Sequence, residues 1–498
     1  MERRFNLIDE PWLPIVDVGR VSLRQVFSEP SYRALGGNPV QKIALMKLLL
    51  AIAQAACTPE DEAQWQALGA AGLAQRCLAY LEQWHERFFL CGDQPFLQMP
   101  AIAGAQKQSY GAVQPEISTG NTTVLNHSQV SRPPSDADKA LLLVVLMGFA
   151  LGGKKTDNSI TLTPGYPGKS NDKGKPSTGK PGPAVAHMGL LHSFLLSNDL
   201  WHSLWLNLLS QEQIAAAKVF PAGVGTAPWE VMPTGEACTT AQQLQQSLMG
   251  RLVPLCRFCL LQSDGLHYSE GLAHADYNGG MADPTATVDH ASKKARALWA
   301  NPEKRPWREL TALLGLFAQQ KSRGFQCWQI DVGLQRTSIA SPSFAVWSGG
   351  LRVSSNAGEQ YASGSDDFVE SQVWLHSSML GDIWFAQLQA EMNSLDDLAK
   401  AVYGCVMGYF KAQLVDGKKM AEQASHHFWQ LCERDFQTLL EHCESGEAHA
   451  AMRRRLRLGF AGYAQQAFDR HCPQDTARQL DAWAQHRPKL GKYLKQED

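Results

Sequence analysis

A chain of 498 residues, 44% hydrophobic and 19% charged, holds enough apolar material for two or more domains with real cores, which excludes a disordered protein. Its formal net charge of −2 excludes a histone-like polycation, so nucleic acid, if bound, must be met by local basic patches. Eleven cysteines, scattered and odd in number, suit a reducing cytoplasm rather than a secreted disulfide scaffold.

Met1 to Trp12 (MERRFNLIDEPW) lacks the apolar core of a signal peptide and no lipidation motif is visible, so a cytoplasmic protein is expected. FNLIDEPWLPIV reads as a short strand, and a second is predicted around Gly19–Leu23. Ile43, Leu45, Met46, Leu48, Leu49 and Ile52 then recur at helical spacing, with Gln41 and Lys47 expected to turn outward. A second helix is predicted near Ala71 to Phe88, presenting Leu73, Leu78, Leu81, Trp84 and Phe88. FFLCGDQPFLQMP follows, with a Gly-Asp turn signal and a proline stop. Ile102 to Asp136 is polar and rich in Gly, Ser and Thr, the texture of an ordered loop. Asp136 or Asp138 is placed to cap an apolar helix from Lys139, whose run Ala140 to Leu151 is only about half a bilayer span.

That helix delivers the chain into Gly152–Pro183, GGKKTDNSITLTPGYPGKSNDKGKPSTGKPGP. Lys154, Lys155, Lys169, Lys173, Lys175 and Lys180 are diluted by only two acids, Asp157 and Asp172. Such a segment cannot bury enough apolar surface to offset its ordering entropy, and long structureless loops are either functional or plain linkers. Glycines allow close backbone approach and lysines reach phosphates, so a nucleic-acid-contacting loop and a solvated linker are the two readings.

Beyond it, His187 to Leu209 is strongly apolar and reads as buried helix, with Trp201 and Trp205 four residues apart. Leu252 to Leu261 alternates as a strand, and Gln262–Gly265 reads as a turn. Trp299 to Arg308 is a basic, aromatic connector before a helix Glu309 to Gln320. Gln326–Val332 and Phe344–Leu351 look like strands, the second interrupted by Gly349–Gly350. From about Leu375 four long amphipathic segments follow, near 377–413, 418–443, 446–471 and 474–495, and their short connections predict a four-helix bundle. The fold class is therefore α+β, a mixed α/β domain over 1–374 followed by a bundle over 375–498.

Catalytic chemistry is thinly represented. CRFC at Cys256–Cys259 is the only CxxC, and a structural zinc needs four ligands; His267 and His274 could complete a site, against two plain thiols at a strand edge. His426–His427 are adjacent on a helix and point in different directions, so one is expected to pack and the other to be solvated. No P-loop, HExxH or GxSxG is present. Asp366–Asp367 could serve metal-assisted phosphodiester cleavage or simply be a solvated pair in a Ser/Gly/Ala loop.

Basic clusters are richer. Lys293, Lys294, Arg296, Lys304, Arg305 and Arg308 interleave with Trp299 and Trp307, a pattern that can hold phosphates and stack on bases or merely cover its own tryptophans. Arg453, Arg454, Arg455 and Arg457 cover a wide arc of one helix, so at least one must face a neighbour.

Ordered stretches along nearly the whole chain resemble one family. FNLIDEPWLPI followed by SLRQVF, then FFLCGDQPFLQ, GRLVPL, DPTATV, RPWREL, WSGGLRVSSNA and ASHHFWQLCE are similar, in order and spacing, to the large subunit (CasA) of the type I-E CRISPR surveillance complex, Cascade. The resemblance implies a non-catalytic subunit that needs no cofactor. A guide RNA would read sequence by pairing, while the protein reads a short flanking motif on duplex DNA, largely from the minor groove, with a glycine loop and a lysine. A wedge would then insert beside the first target base pair, at an unstacking cost of a few kcal/mol. The implied partners are double-stranded target DNA, the guide RNA 5′ handle, the backbone, handle-binding and small subunits, and a helicase-nuclease or other effector nuclease.

Residue by residue, the glycine loop falls at Thr178–Gly182, with Gly179, Lys180 and Gly182 as motif readers and Lys154, Lys155, Lys169, Lys173 and Lys175 on the DNA backbone. The wedge falls at Ser355, Asn356 and Ala357, where Asn356 replaces the longer amide usual in the family. The loop expected to touch the 5′ handle maps near Val124–Leu125–Asn126, of which Asn126 transfers. No lysine matches the motif-contacting one, and Arg257 and His274 are the nearest basic candidates. A metal-dependent nuclease at Asp366–Asp367 and a purely structural guide-RNA clamp are the rival functions.

Overall fold

The computed structural model describes residues 3–115, 134–149, 160, 162, 187–274, 283–290, 295–314, 325–353 and 368–493. The chain divides into two compact units, Met1–Trp307 with Ala312–Gln372, and Arg308–Thr311 with Val373–Asp498. The fold is α+β: small sheets among helices in the first part, and C-terminal helices that pack as a bundle.

The centre of the first unit is the helix Pro39–Ala56. Asn38 caps it by accepting from Gln41 N (2.9 Å), while Gln41 Oε1 accepts from Asn38 N, so the polar Gln41 is consumed in closing the helix start. Fourteen of its residues are buried, because the helices Glu62–Gln83 and Asp136–Gly148 and the strand Ser343–Leu351 pack around it. By length and composition it could cross a membrane, the only such helix among the described residues, yet 78% of it is buried inside the protein. Lys47 is not turned outward as its place in the pattern suggested. It is fully buried and paired with Asp283, a partner more than two hundred residues away that periodicity cannot reveal.

The helix Glu62–Gln83 begins well before its predicted start, capped by Asp61 and kinked at Gly69 (φ +64°). It also stops earlier, so Phe88 packs beyond it on Phe96 at 4.8 Å. Trp65 of this helix stacks on Trp205 at 4.3 Å, and each indole N–H donates to the other residue's carbonyl. The apolar helix Asp136–Gly148 is capped by Ser135, with Asp138 completing the box as its third residue rather than serving as the cap.

Two predicted elements change type. Within 187–209 a strand, His192–Leu196, precedes a short helix, Leu200–Asn207, capped by Asp199. A uniformly apolar run does not choose between periods of 2 and 3.6; here pairing with Ser343–Leu351, in the register Gly349↔His192 to Ala345↔Leu196, decides it. Gln326–Val332 likewise yields only Phe325–Gln326 as strand and then the helix Trp328–Ala340. Gly349–Gly350 does not interrupt its strand but makes it possible. A Cβ at 349 would lie 2.6 Å from the Trp347 ring, and one at 350 would lie 2.6 Å from the Leu190 carbonyl. The strand Ser343–Leu351 stands between His192–Leu196 and Phe368–His376, while Leu266–Glu270 stands between Lys107–Gln108 and Arg257–Leu261.

In the second unit the helices are Asp382–Ala412, Lys418–Glu441, Glu447–His471 and Ala477–His486. The arginine run resolves as geometry requires. Arg457 donates three hydrogen bonds to buried Glu391, Arg453 donates to the His442 and Glu444 carbonyls, and Arg454 pairs with exposed Glu447. His426 and His427 are both half-buried, rather than one packed and one solvated.

Candidate nucleic-acid interface

The residues nominated for DNA and RNA contact (Asn126, Lys154, Lys155, Lys169, Lys173, Lys175, Gly179, Lys180, Gly182, Ser355, Asn356 and Ala357) lie outside the described residues, as do Asp366 and Asp367. The described residues include points from which the lysine–glycine and Ser355–Ala357 segments leave, and Gly148, His187 and Val353 among them lie close together in the first unit.

His187 N donates to Gly148 O at 3.0 Å, so the described residues on either side of the lysine–glycine segment meet across one hydrogen bond. Gly148 has no alternative, since a Cβ there would enter the His187 ring. Between these ends, Ile160 O accepts from Ser269 Oγ (2.6 Å) and Leu162 O from Glu236 N (3.4 Å), two fixed points inside a stretch read from sequence as unstructured.

Two residues after His187 comes Gly189, at φ +80°, a conformation that favours glycine. A Cβ there would strike the Trp299 ring and come within 2.6 Å of Val353 Cγ2. Val353 is the last described residue before the segment that holds Ser355–Ala357. Ala300 N donates to Gly189 O (2.8 Å), Leu190 bridges Trp299, and Leu191 N donates to Leu298 O (3.0 Å). Thr287 N donates to Leu191 O and Leu298 N to Thr287 O, which ties the Asp283–Asp289 segment into the same layer. His187, the first described residue after the lysine–glycine segment, and Val353, the last before Ser355–Ala357, thus both lie close to a single glycine.

A buried polar cluster holds this layer from beneath. The Lys47 ammonium pairs with Asp283 and donates to Arg251 O (2.9 Å). Asp283 Oδ1 accepts from Thr285 N (2.9 Å) and from the Thr285 hydroxyl (2.8 Å), and His192 Nδ1 lies 2.9 Å from that hydroxyl oxygen. His187 Nδ1 lies 3.7 Å from Asp283 Oδ2. Burial by itself would raise the Asp283 carboxyl; the Lys47 charge, aided by the two imidazoles, outweighs it and holds the group well below the usual carboxylate range. Burial, then the Lys47 charge, pulls His192 down to about 4 and pushes His187 well below its ordinary value, so both rings are neutral. Neutral rings around one compensated carboxylate hold the residues beside the loop ends in place. Sequence reading missed this cluster; its one signal was DPTATV, whose Asp283, Thr285 and Thr287 all serve here.

The basic candidates for motif contact do not reach the surface. Arg257 is 1% exposed, 3.3 Å from Glu270 and stacked over Tyr268; His274 is 3% exposed, with Nε2 2.6 Å from Pro254 O. Touching a duplex would require unpacking them, which corrects both assignments. Cys256 and Cys259 are buried at the edge strand Arg257–Leu261, where burial pushes the Cys259 thiol up. Among the described residues no group of three or more His, Cys, Asp or Glu could hold a metal ion.

An α+β first part with small sheets among helices, followed by C-terminal helices that pack as a bundle, defines a class that known proteins share. The model of the CRISPR-associated protein Cse1 family matches residues 6–467, and the chain belongs to that family. The CRISPR-associated protein CasA/Cse1 of Thermus thermophilus is 33% identical over 165 residues, covering 30% of this chain and 32% of that protein, so the aligned stretch spans about a third of that relative. In fold, the crystal structure of Thermus thermophilus CasA is similar over 99% of both chains (TM-score 0.73, 19% identity). A chain described as part of a CRISPR RNA-guided surveillance complex is similar over 98% of this chain and 100% of its own (TM-score 0.70, 14% identity).

Proposed function

We propose that this chain is the non-catalytic large subunit of a type I-E, RNA-guided surveillance complex (Cascade). In this reading it inspects a short motif bordering the target in duplex DNA, opens the duplex beside that motif, and docks the nuclease that cuts. Family membership supports the setting, as does the fold shared with a chain described as belonging to a CRISPR RNA-guided surveillance complex. One observation carries the division of labour: His187, just after the reading segment, and Val353, just before the wedge segment, lie close to Gly189. A motif reader and a wedge must act on neighbouring base pairs, about 3.4 Å apart along a strand, so they need a common, stiff base.

Gly179, Lys180 and Gly182 then read the motif from the minor groove, whose degenerate pattern makes that reading permissive. Lys154, Lys155, Lys169, Lys173 and Lys175 hold phosphates, Ser355–Asn356–Ala357 is the wedge, and Asn126 touches the guide RNA 5′ handle. Motif reading belongs to residues 1–374, with 375–498 the four-helix bundle. The backbone, handle-binding and small subunits are the neighbours, the cytoplasm is the compartment, and no cofactor is needed for recognition by hydrogen bonds and insertion.

Asn356→Ala is expected to slow strand opening more than it weakens initial duplex binding, as followed by stopped-flow fluorescence of a base analogue beside the motif. Equal effects on both steps would remove the wedge assignment. Neutralising the five backbone lysines should flatten the salt dependence of binding, by about 0.9 in log–log slope for each phosphate no longer neutralised. Incubation with Mg²⁺ and duplex should give no cleavage; cutting abolished by Asp366→Ala would establish the nuclease instead. Equal binding of the assembled complex to targets with and without the flanking motif would leave only a guide-RNA clamp.

A further inference from the structure

We propose that Trp299 is a base-stacking platform, its exposed indole receiving a nucleobase at the border of the opened duplex. The inference rests on the function proposed above and adds a residue to it.

The connector from Trp299 to Arg308 carries two tryptophans with opposite fates. Trp307 is 2% exposed and belongs to the core, whereas Trp299 is 51% exposed. Trp299 is not on a loosely held stretch. It bridges Leu190, and its neighbours Leu298 and Ala300 donate to Thr287 O and Gly189 O at 2.8 Å each. Its ring rests over Gly189, where the missing Cβ makes the room. An indole is among the side chains that gain most from burial, so one that is fixed in place yet left half in water is a surface feature.

Its surroundings suit a base better than a core contact. Trp65 is covered by the Arg336 guanidinium at 4.2 Å and Trp429 by that of Arg308 at 3.9 Å. Trp299 has no stacked cation or ring among the described residues. Arg296, three residues before Trp299, and Lys304, on the connector, are exposed, and Arg352 precedes Val353 in sequence, so the ring lies in a cationic stretch of the chain. Stacking on a pre-fixed aromatic between cations is how single-stranded nucleic acid is held without sequence preference. Val353, the last described residue before the proposed wedge, lies beside the same glycine, which sets Trp299 close in the chain's layout to where a base would be freed.

The test uses the full chain assembled with its guide RNA and partner subunits. Target duplexes carry 5-iodouracil at successive positions across the border of the paired region, and are irradiated and digested. An adduct on the Trp299 peptide at one or two adjacent positions is expected; its absence at every position overturns the proposal. Trp299→Ala should weaken target binding about ten- to hundredfold, the worth of one stacked base, while Trp299→Phe keeps most of the affinity. The salt slope should not move, because stacking releases no counterions. Unchanged affinity in Trp299→Ala, with motif discrimination intact in the wild type, sinks Trp299 alone. A wild type that ignores the flanking motif sinks the parent reading and this one with it. If Trp299→Ala fails to fold, the adduct decides. Protection of Trp299 from oxidative footprinting before DNA is added would assign it to a protein neighbour and end the proposal.

Discussion

Asp283 in the first unit and Glu391 in the helix bundle are both buried carboxylates met by cations, and they are held in different ways. Asp283 and Lys47 are both 0% exposed, a dry pair with a single full charge on each side. Glu391 is 1% exposed, but Arg457 approaches it with a side chain still 30% exposed, and Arg453 stands 3.6 Å away. The bundle therefore has a spare cation and a path to water, while the loop-root cluster has neither. A buried pair is poor evidence of net stability, because desolvation offsets most of its attraction. It is good evidence of position: Asp283 can be ionised only where Lys47 is, and His187, beside the end of the lysine–glycine segment, stands 3.7 Å from that carboxylate.

The sharpest way to break this contrast is Lys47→Met, which strands a fully buried carboxylate and is expected to destabilise the first unit by about 3–5 kcal/mol. Hydrogen exchange resolved by peptide, with denaturant unfolding, reads it out. Adding Asp283→Asn should recover a substantial part, and a double variant no better than the single one would show that the pair is not the cause. Next in size is acid sensitivity. His192 is held neutral, with a folded pKa of about 4 against an ordinary value of 6.5, so its contribution is fully present above pH 6.5. That contribution is lost progressively as pH falls from about 6.5 to about 4, at up to about 1.4 kcal/mol per pH unit. In the bundle, burial lowers His427 and His471 as well, but both are only half-buried, so its acid slope should be shallower. Equal slopes in the two units, or no flattening in His192→Gln, would erase the distinction. The smallest effect belongs to Arg457→Ala, expected to cost the bundle only about 1 kcal/mol, since its pairing is partly screened and Arg453 remains. A loss as large as that of Lys47→Met would show that the bundle has no redundancy.

The bundle was the more legible region. Its apolar positions recur over many turns of helix, its breaks carry Gly or Pro, and the arginine run had to send at least one side chain inward, as Arg453 and Arg457 are. The first unit was less legible, because long-range pairing rather than local periodicity set its elements. In His187–Leu209 pairing across the chain made His192–Leu196 a strand, and in Gln326–Val332 the chain is helical from Trp328, types that a short run without a clear period does not choose by itself. Lys47 fell on a polar-looking position of a helix that is buried on every side, and only its partner explains it.

By itself, the sequence determined the α+β class, the C-terminal helices and the family, because each rests on local periodicity or on ordered motifs that survive without coordinates. It also marked the lysine–glycine and Ser355–Ala357 segments as candidates. Tertiary structure alone decided that one end of each of those segments lies close to Gly189, that Arg257 and His274 are buried, and that one tryptophan of the connector faces outward. Such facts depend on which distant residues share one small volume, and packing sets that.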